Sequence, residues 1–95
     1  MSETGVHLVY STTASEEEAA GIARVVVEER LAACANIIPT IRSIYRWQNK
    51  VEDDHEALLF LKTQSDCVPA LISRIQTLHT YELPDIIALP LERGY

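Results

Sequence analysis

The sequence predicts an α+β fold in which one four-stranded antiparallel sheet carries two helices on one face, in the order βαββαβ. Three observations lead there. Apolar residues recur at a period of two, then three to four, then two over two adjacent runs, then three to four and two again. The two central runs are separated by a short polar stretch, "QNKVEDD" (48–54), so they pair as a local antiparallel hairpin. Pro39 and Pro90 fall in the second and last strands, and a proline cannot donate to a ladder, so those strands belong at edges or bulges. Right-handed crossovers then set the strand order 4-1-3-2, the ferredoxin-like arrangement.

The first strand is "VHLVYST" (6–12), rich in β-branched and aromatic residues. Ser15 followed by Glu18 forms a capping box, and Glu16, Glu17 and Glu18 fill a first turn where the helix dipole favours acids. Ala20, Ala23, Val27, Leu31 and Cys34 make one stripe and Glu17, Gly21, Arg24 and Glu28 the opposite one, predicting a helix of about five turns from residue 16. From Asn36 the period is two, with Ile41, Ser43, Tyr45 and Trp47 on one face. "HEALLFLKT" (55–63) is the third strand. Ser65 or Asp66 is expected to cap a second helix with Pro69 in its first turn and Val68, Leu71, Ile72, Ile75 and Leu78 as its stripe. "DIIALPL" (85–91) is the last strand.

Residues 1–95, 47% hydrophobic, suffice for a single domain with a real core. Fourteen acidic residues against eight basic ones give a net charge of −6, which opposes phosphate neutralisation and argues against nucleic-acid partners. "MSETGVHLVY" lacks the basic start and apolar core of a secretory leader, and no apolar run approaches the ~20 residues of a membrane span, so a cytoplasmic chain without a membrane partner is expected. Glycine-rich phosphate loops, paired-cysteine motifs and nucleophile elbows are missing, and a catalytic role is not expected.

Both sheet faces carry apolar side chains: Leu58 and Phe60 point one way, Leu59 and Leu61 the other. Two helices cover one face only, so the second needs another cover, and a further subunit is the expectation.

Several residues invite a chemical reading. Cys34, placed at the end of the first helix, reads as a buried structural thiol, and Cys67 as a half-buried or surface one. Tyr45 and Trp47 share a strand face and fill an interface or line a pocket. Lys62 ends an apolar strand, where partial burial would require an anionic partner. "EDDHE" (52–56) reads as a solvated hairpin tip. "HTYELPD" (79–85) gathers His79, Glu82 and Asp85, yet Pro84 and the turn between them keep the three from having to converge. The segment reads first as a helix-to-strand connector, with any metal at His79 and Asp85 held weakly within one chain.

"LAACANIIP", "IRSIYRWQNKVEDDHEALLFLKT" and "HTYELPDIIALPLERG" together resemble the CutA divalent-cation-tolerance proteins, from about Leu8 to Gly94. The resemblance implies a compact homotrimer of ferredoxin-like subunits similar to PII signalling proteins, with binding or signalling in response to copper or other divalent cations, and no established reaction. It also implies a cleft between subunits lined by Trp47, Lys62 and Tyr81, taking a small ligand or a divalent cation such as Cu(II). The chain departs from the pattern at several points. Ser11 and Leu78 stand where some bacterial relatives have a cysteine and a histidine proposed as copper ligands, Asp85 can stand for the third, acidic one, and Thr80 replaces a proline. The sequence ends at Tyr95, where the family's C-terminal extension of a short strand and a helix is usual. The alternative reading is a small enzyme of the acylphosphatase type. It is disfavoured because "STTASEEEAAG", the loop after the first strand, is acidic and has no arginine to cradle a phosphate.

Overall fold

The computed structural model describes residues 4–95; residues 1–3, the start of the stretch read for a leader, lie outside it. The elements follow as β1 (Val6–Thr13), α1 (Glu16–Glu28), β2 (Cys34–Trp47), β3 (Lys50–Gln64), α2 (Val68–Leu78) and β4 (Ile87–Leu91). A short 3₁₀ turn, Ser65–Cys67, leads into α2. The sheet order is β2-β3-β1-β4, all pairs antiparallel, the order expected from the two prolines. Pro90 lies in edge strand β4, and Pro39 lies within the register shift between Ile38 and Ile41 of edge strand β2. The missing N–H thus falls where no ladder bond is lost.

The Ser15 half of the capping box forms as read, while Glu18 reaches one residue past the N-cap. Ser15 accepts from the Glu18 amide at 3.1 Å, and the Glu18 carboxylate reaches back to the Ala14 amide at 2.9 Å. The helix is shorter than the periodicity predicted. It closes at Glu29, with the Leu31 amide bonded to the Val26 carbonyl and the Arg30 amide to the Val27 carbonyl, which is a Schellman closure. Arg30 takes the left-handed position at φ 63° that glycine usually fills, so no glycine marked the end. Cys34 consequently opens β2 and is half-buried there, rather than ending a helix. The buried face of α1 is Ala19, Ile22, Ala23 and Val26, turned from the expected stripe, while Glu17, Gly21, Arg24 and Glu28 are exposed as read.

Two other boundaries move. Gln48 and Asn49 alone make the hairpin turn, both at positive φ as in a type I′ turn, and β3 begins at Lys50. "EDDHE" is therefore strand, not tip. Asp53 accepts two bonds from Arg42 at 2.9 and 2.7 Å, and Asp54 accepts from the Tyr45 hydroxyl at 2.6 Å. At α2, Cys67 is the N-cap without a side-chain cap bond, and Ser65 pairs with His7 across 3.0 Å instead. Pro69 sits in the first turn as read.

On the helix side of the sheet, Val9, Leu59 and Leu61 are fully buried against Val26, Leu71 and Ile75. Thr13 and Thr63 lie on the same side, and their hydroxyls donate to the carbonyls of Ser15 and Leu31, so the polar atoms within this core are satisfied. The other face is open. Ile38, Ile87 and Leu89 are 43%, 40% and 45% exposed there, and Phe60 and Tyr10 lie half-buried beside each other. Beyond Ala57 the third strand outruns β1, and Ile41–Trp47 of β2 with 50–56 of β3 project as a two-stranded arm.

Candidate functional site

A cavity of about 450 Å³ lies where the arm leaves the body, on the open side of the sheet. The pleat directs Ser43, Tyr45 and Trp47 of β2 and Glu56 of β3 to one face, as the period of two predicted. Thr12, at the end of β1, and Tyr81, Glu82, Leu83 and Asp85 of the connector complete the wall. Three aromatic rings and three carboxylates line it, without a lysine, arginine or histidine among these described residues.

The connector is pinned by hydrogen bonds. His79, the C-cap of α2, is buried; its Nδ1 accepts from the Tyr81 amide at 3.1 Å, so the proton sits on Nε2, which donates to the Thr12 carbonyl at 2.8 Å. Glu18 accepts from the Thr80 amide at 2.7 Å and stands 3.8 Å from His79 Nδ1. Burial pushes the Glu18 pKa up, but the bonds from Thr80 and Ala14 outweigh it and hold the carboxyl below its ordinary value. Asp85 accepts from both the amide and the hydroxyl of Thr12, at 3.1 and 2.7 Å.

Both phenols act as donors. The Tyr81 hydroxyl donates to Glu56 at 2.7 Å, and burial together with that bond pushes its pKa up. The bond to Asp54 pushes Tyr45 up to about 12. Neither ring ionises in any ordinary pH range, and each keeps an electron-rich face.

The residues singled out in the sequence are only partly brought together. Trp47 and Tyr81 line the cavity, but Lys62 pairs with Leu8 and Cys34 near the far end of β3, on the order of 40 Å from Trp47 at a strand's rise of about 3.3 Å per residue. That trio can meet only if chains combine. His79 and Asp85 flank the same connector, yet both His79 nitrogens are engaged within the protein, and His79 does not line the cavity. No group of three histidine, cysteine or carboxylate side chains among the described residues is placed to hold a metal ion. Glu56 was read as part of a solvated tip and is instead 9% exposed, with the Tyr81 hydroxyl, distant in sequence, as its hydrogen-bond partner. The phosphate-cradle alternative gains nothing, because Arg42 is clamped by Asp53 and the loop after β1 meets Glu18.

Residues 7–95 match the family described as CutA1 divalent ion tolerance protein. The chain belongs to the CutA1 family. It is 51% identical over 89 residues to "Protein CutA" of Mus musculus, covering 94% of this chain and 50% of the mouse protein, so it spans about half the length of that relative. It is likewise 51% identical over 87 residues to the divalent-cation tolerance protein CutA of Thermus thermophilus, covering 92% of this chain and 84% of the relative. The solved CutA1 structure from that organism superposes with a TM-score of 0.91 at 49% identity, over 95% of this chain and 87% of the other. A structure from Archaeoglobus fulgidus, described as a periplasmic divalent cation tolerance protein, superposes with a TM-score of 0.91 at 37% identity, over 95% and 87% of the two chains. The CutA1 fold thus accounts for nearly the whole described chain. Among the described residues, no helix is long and apolar enough to cross a membrane.

Proposed function

We propose that the chain acts as a homotrimeric divalent-cation-tolerance protein of the CutA type, binding or signalling rather than catalysing, with its ligand in clefts where subunits meet. One observation carries the reading: an apolar sheet face and a projecting two-stranded arm are left uncovered in the single chain. Trp47 and Tyr45 are 43% and 41% exposed. A two-stranded ribbon is at best marginal in water, and exposed apolar patches of this kind mark interaction surfaces. A neighbouring copy supplies the cover, and it also supplies the only route by which Lys62 joins Trp47 and Tyr81 in one cleft. Two unpaired cysteines fit a reducing, cytoplasmic setting.

Divalent ions such as Cu(II) enter this reading as weak ligands, held between chains and not by His79, whose lone pair on Nδ1 is already used. Asp85 keeps one oxygen free of the Thr12 bonds and is the residue of the connector able to contribute. Light scattering at micromolar concentration should give about three times the subunit mass of 10.7 kDa, an assembly of the permanent class that survives dilution. A clean monomer overturns the reading. Copper titration by calorimetry should show weak binding, reduced by Asp85→Asn and indifferent to His79→Gln; tight binding lost with His79→Gln would place the metal site within one chain.

A further inference from the structure

The connector that carries Tyr81 to the cleft is held from behind by a histidine whose bonding depends on its charge. His79 Nε2 donates to the Thr12 carbonyl at 2.8 Å, and Nδ1 accepts from the Tyr81 amide at 3.1 Å. Only the neutral ring protonated on Nε2 makes both bonds. Nδ1 has a second neighbour: Oε2 of Glu18 stands 3.8 Å away, held there by the Thr80 amide at 2.7 Å. The His79 and Glu18 side chains are 0% and 10% exposed within one chain, so these contacts stand whatever covers the open face of the sheet.

A proton taken up from water at Nδ1 turns that nitrogen from an acceptor into a donor. It then faces the Tyr81 N–H donor to donor, and a buried donor left without an acceptor is costly. Glu18 is the acceptor within reach. Its bonds from Ala14 and Thr80 hold it ionised, and a buried imidazolium requires such a counter-charge. Closing 3.8 Å to hydrogen-bond distance turns the ring away from the Tyr81 amide. The Tyr81 ring packs on the imidazole with centroids 4.8 Å apart, and its hydroxyl donates to Glu56 in the cleft, so the turn is passed to the cleft wall. The remaining charges lie further out. Asp85 bonds Thr12 and not the imidazole, Glu56 meets the phenol end of Tyr81, and Glu16, Glu17 and Glu82 are exposed. A neighbouring copy's Lys62 enters from the cleft, with Tyr81 between it and the imidazole.

We propose that His79 is a proton-operated latch on the cleft: neutral, it fixes the Tyr81 amide and with it the wall; protonated, it passes Nδ1 to Glu18 and releases that amide. That Tyr81 walls a ligand cleft rests on the reading above, whereas the latch rests on contacts inside one subunit.

The test is a titration of the full chain from about pH 8 to about pH 5, the range in which imidazoles ordinarily change charge. Nitrogen NMR of the assigned imidazoles reads the tautomer and charge of His79, and the Tyr81 amide shift reads its bond. Emission from Trp47, the only tryptophan in the sequence, reads the wall. At the alkaline end His79 should carry its proton on Nε2. On acidification the Tyr81 amide and Trp47 should shift in one step that follows the His79 curve. His79→Gln offers an oxygen to the Tyr81 amide and an N–H to Thr12 but takes up no proton, so it should keep the parent's alkaline emission and lose the step. Glu18→Gln should move the step to lower pH, and His55→Gln, on the exposed arm, should leave it in place. In the parent, which needs no variant to fold, a His79 proton on Nδ1 at the alkaline end overturns the latch. So does an imidazole that stays neutral throughout, or one that titrates while the Tyr81 amide stays fixed, and so does a step that survives His79→Gln. Light scattering at both ends of the range separates the two readings: a monomer that shows the step overturns the homotrimer and leaves the latch standing, and a trimer without the step does the reverse.

Discussion

The two halves of β3 share one ladder with β2 and one alternation, yet they live in different surroundings. Residues 57–64 run beside β1 under the helices, where Ala57, Leu59 and Leu61 are fully buried. Residues 50–56 have only β2 beside them, and Val51 remains 65% exposed. The difference shows that pleat and pairing fix which way a side chain points, while burial depends on what arrives to cover it. The body's cover is supplied by the chain itself, in α1 and α2. The arm and the open face have no such supply.

The largest test of that contrast sits in the body. Leu59→Ala removes a fully buried side chain and should destabilise by about 3 kcal/mol, read as a lower urea midpoint, because the closed layer of helices cannot collapse into the space. A loss below about 1 kcal/mol would mean the core is looser than its burial indicates. One residue along, Phe60→Asp addresses the opposite face. There the subunit should still fold, but assembly at micromolar concentration should be lost by light scattering, since covering an unpaired charge costs several kcal/mol. Assembly unchanged by Phe60→Asp would show that the open face is not the one that becomes covered.

The pH dependence sharpens the seam between the regions. Glu18 ties Ala14 and Thr80 together, and its pKa in the folded state lies below the ordinary 4.5. A depressed carboxylate contributes stability that is present above its unfolded pKa and lost as pH falls through the folded one. Urea midpoints should therefore drop as pH falls below 4.5, and Glu18→Gln should flatten that part of the profile; an unchanged slope in the variant would assign the acid loss to other carboxylates. The smallest expected effects come from the two non-glycine residues held at positive φ. Arg30→Gly, at the α1 closure, should raise global stability by about 0.5–1 kcal/mol in thermal unfolding. Asn49→Gly, at the arm's turn, should instead slow hydrogen exchange of arm amides with little change in the global midpoint, because the turn lies outside the helix-covered body and opens locally. Equal shifts of both readouts would mean that arm and body unfold together.

Much of this molecule could be read without coordinates. The order βαββαβ, the place of both prolines at edges, the Ser15–Glu18 capping box and the face shared by Tyr45 and Trp47 all follow from local chemistry: a missing N–H, a dipole, a pleat. These act over a few residues and leave their mark in those residues. The phase of α1 was not legible, because "AAGIARVVV" is apolar on nearly every side and only the sheet selects which side is buried. Nor was its end, since Arg30 adopts a glycine's conformation without being one. The site was divided in the same way. Trp47 and Tyr81 could be named from the resemblance, but the pairing of Glu56 depends on the Tyr81 hydroxyl, which follows α2 in the chain, and the engagement of the His79 nitrogens depends on Thr12 and Tyr81 lying within reach. Sequence determined the elements and their pairing because hydrogen-bonding capacity and side-chain period belong to single segments. Tertiary structure alone decided which carboxylate was buried and which histidine was spent, because desolvation and lone-pair occupancy are set by whatever distant residues fold against them.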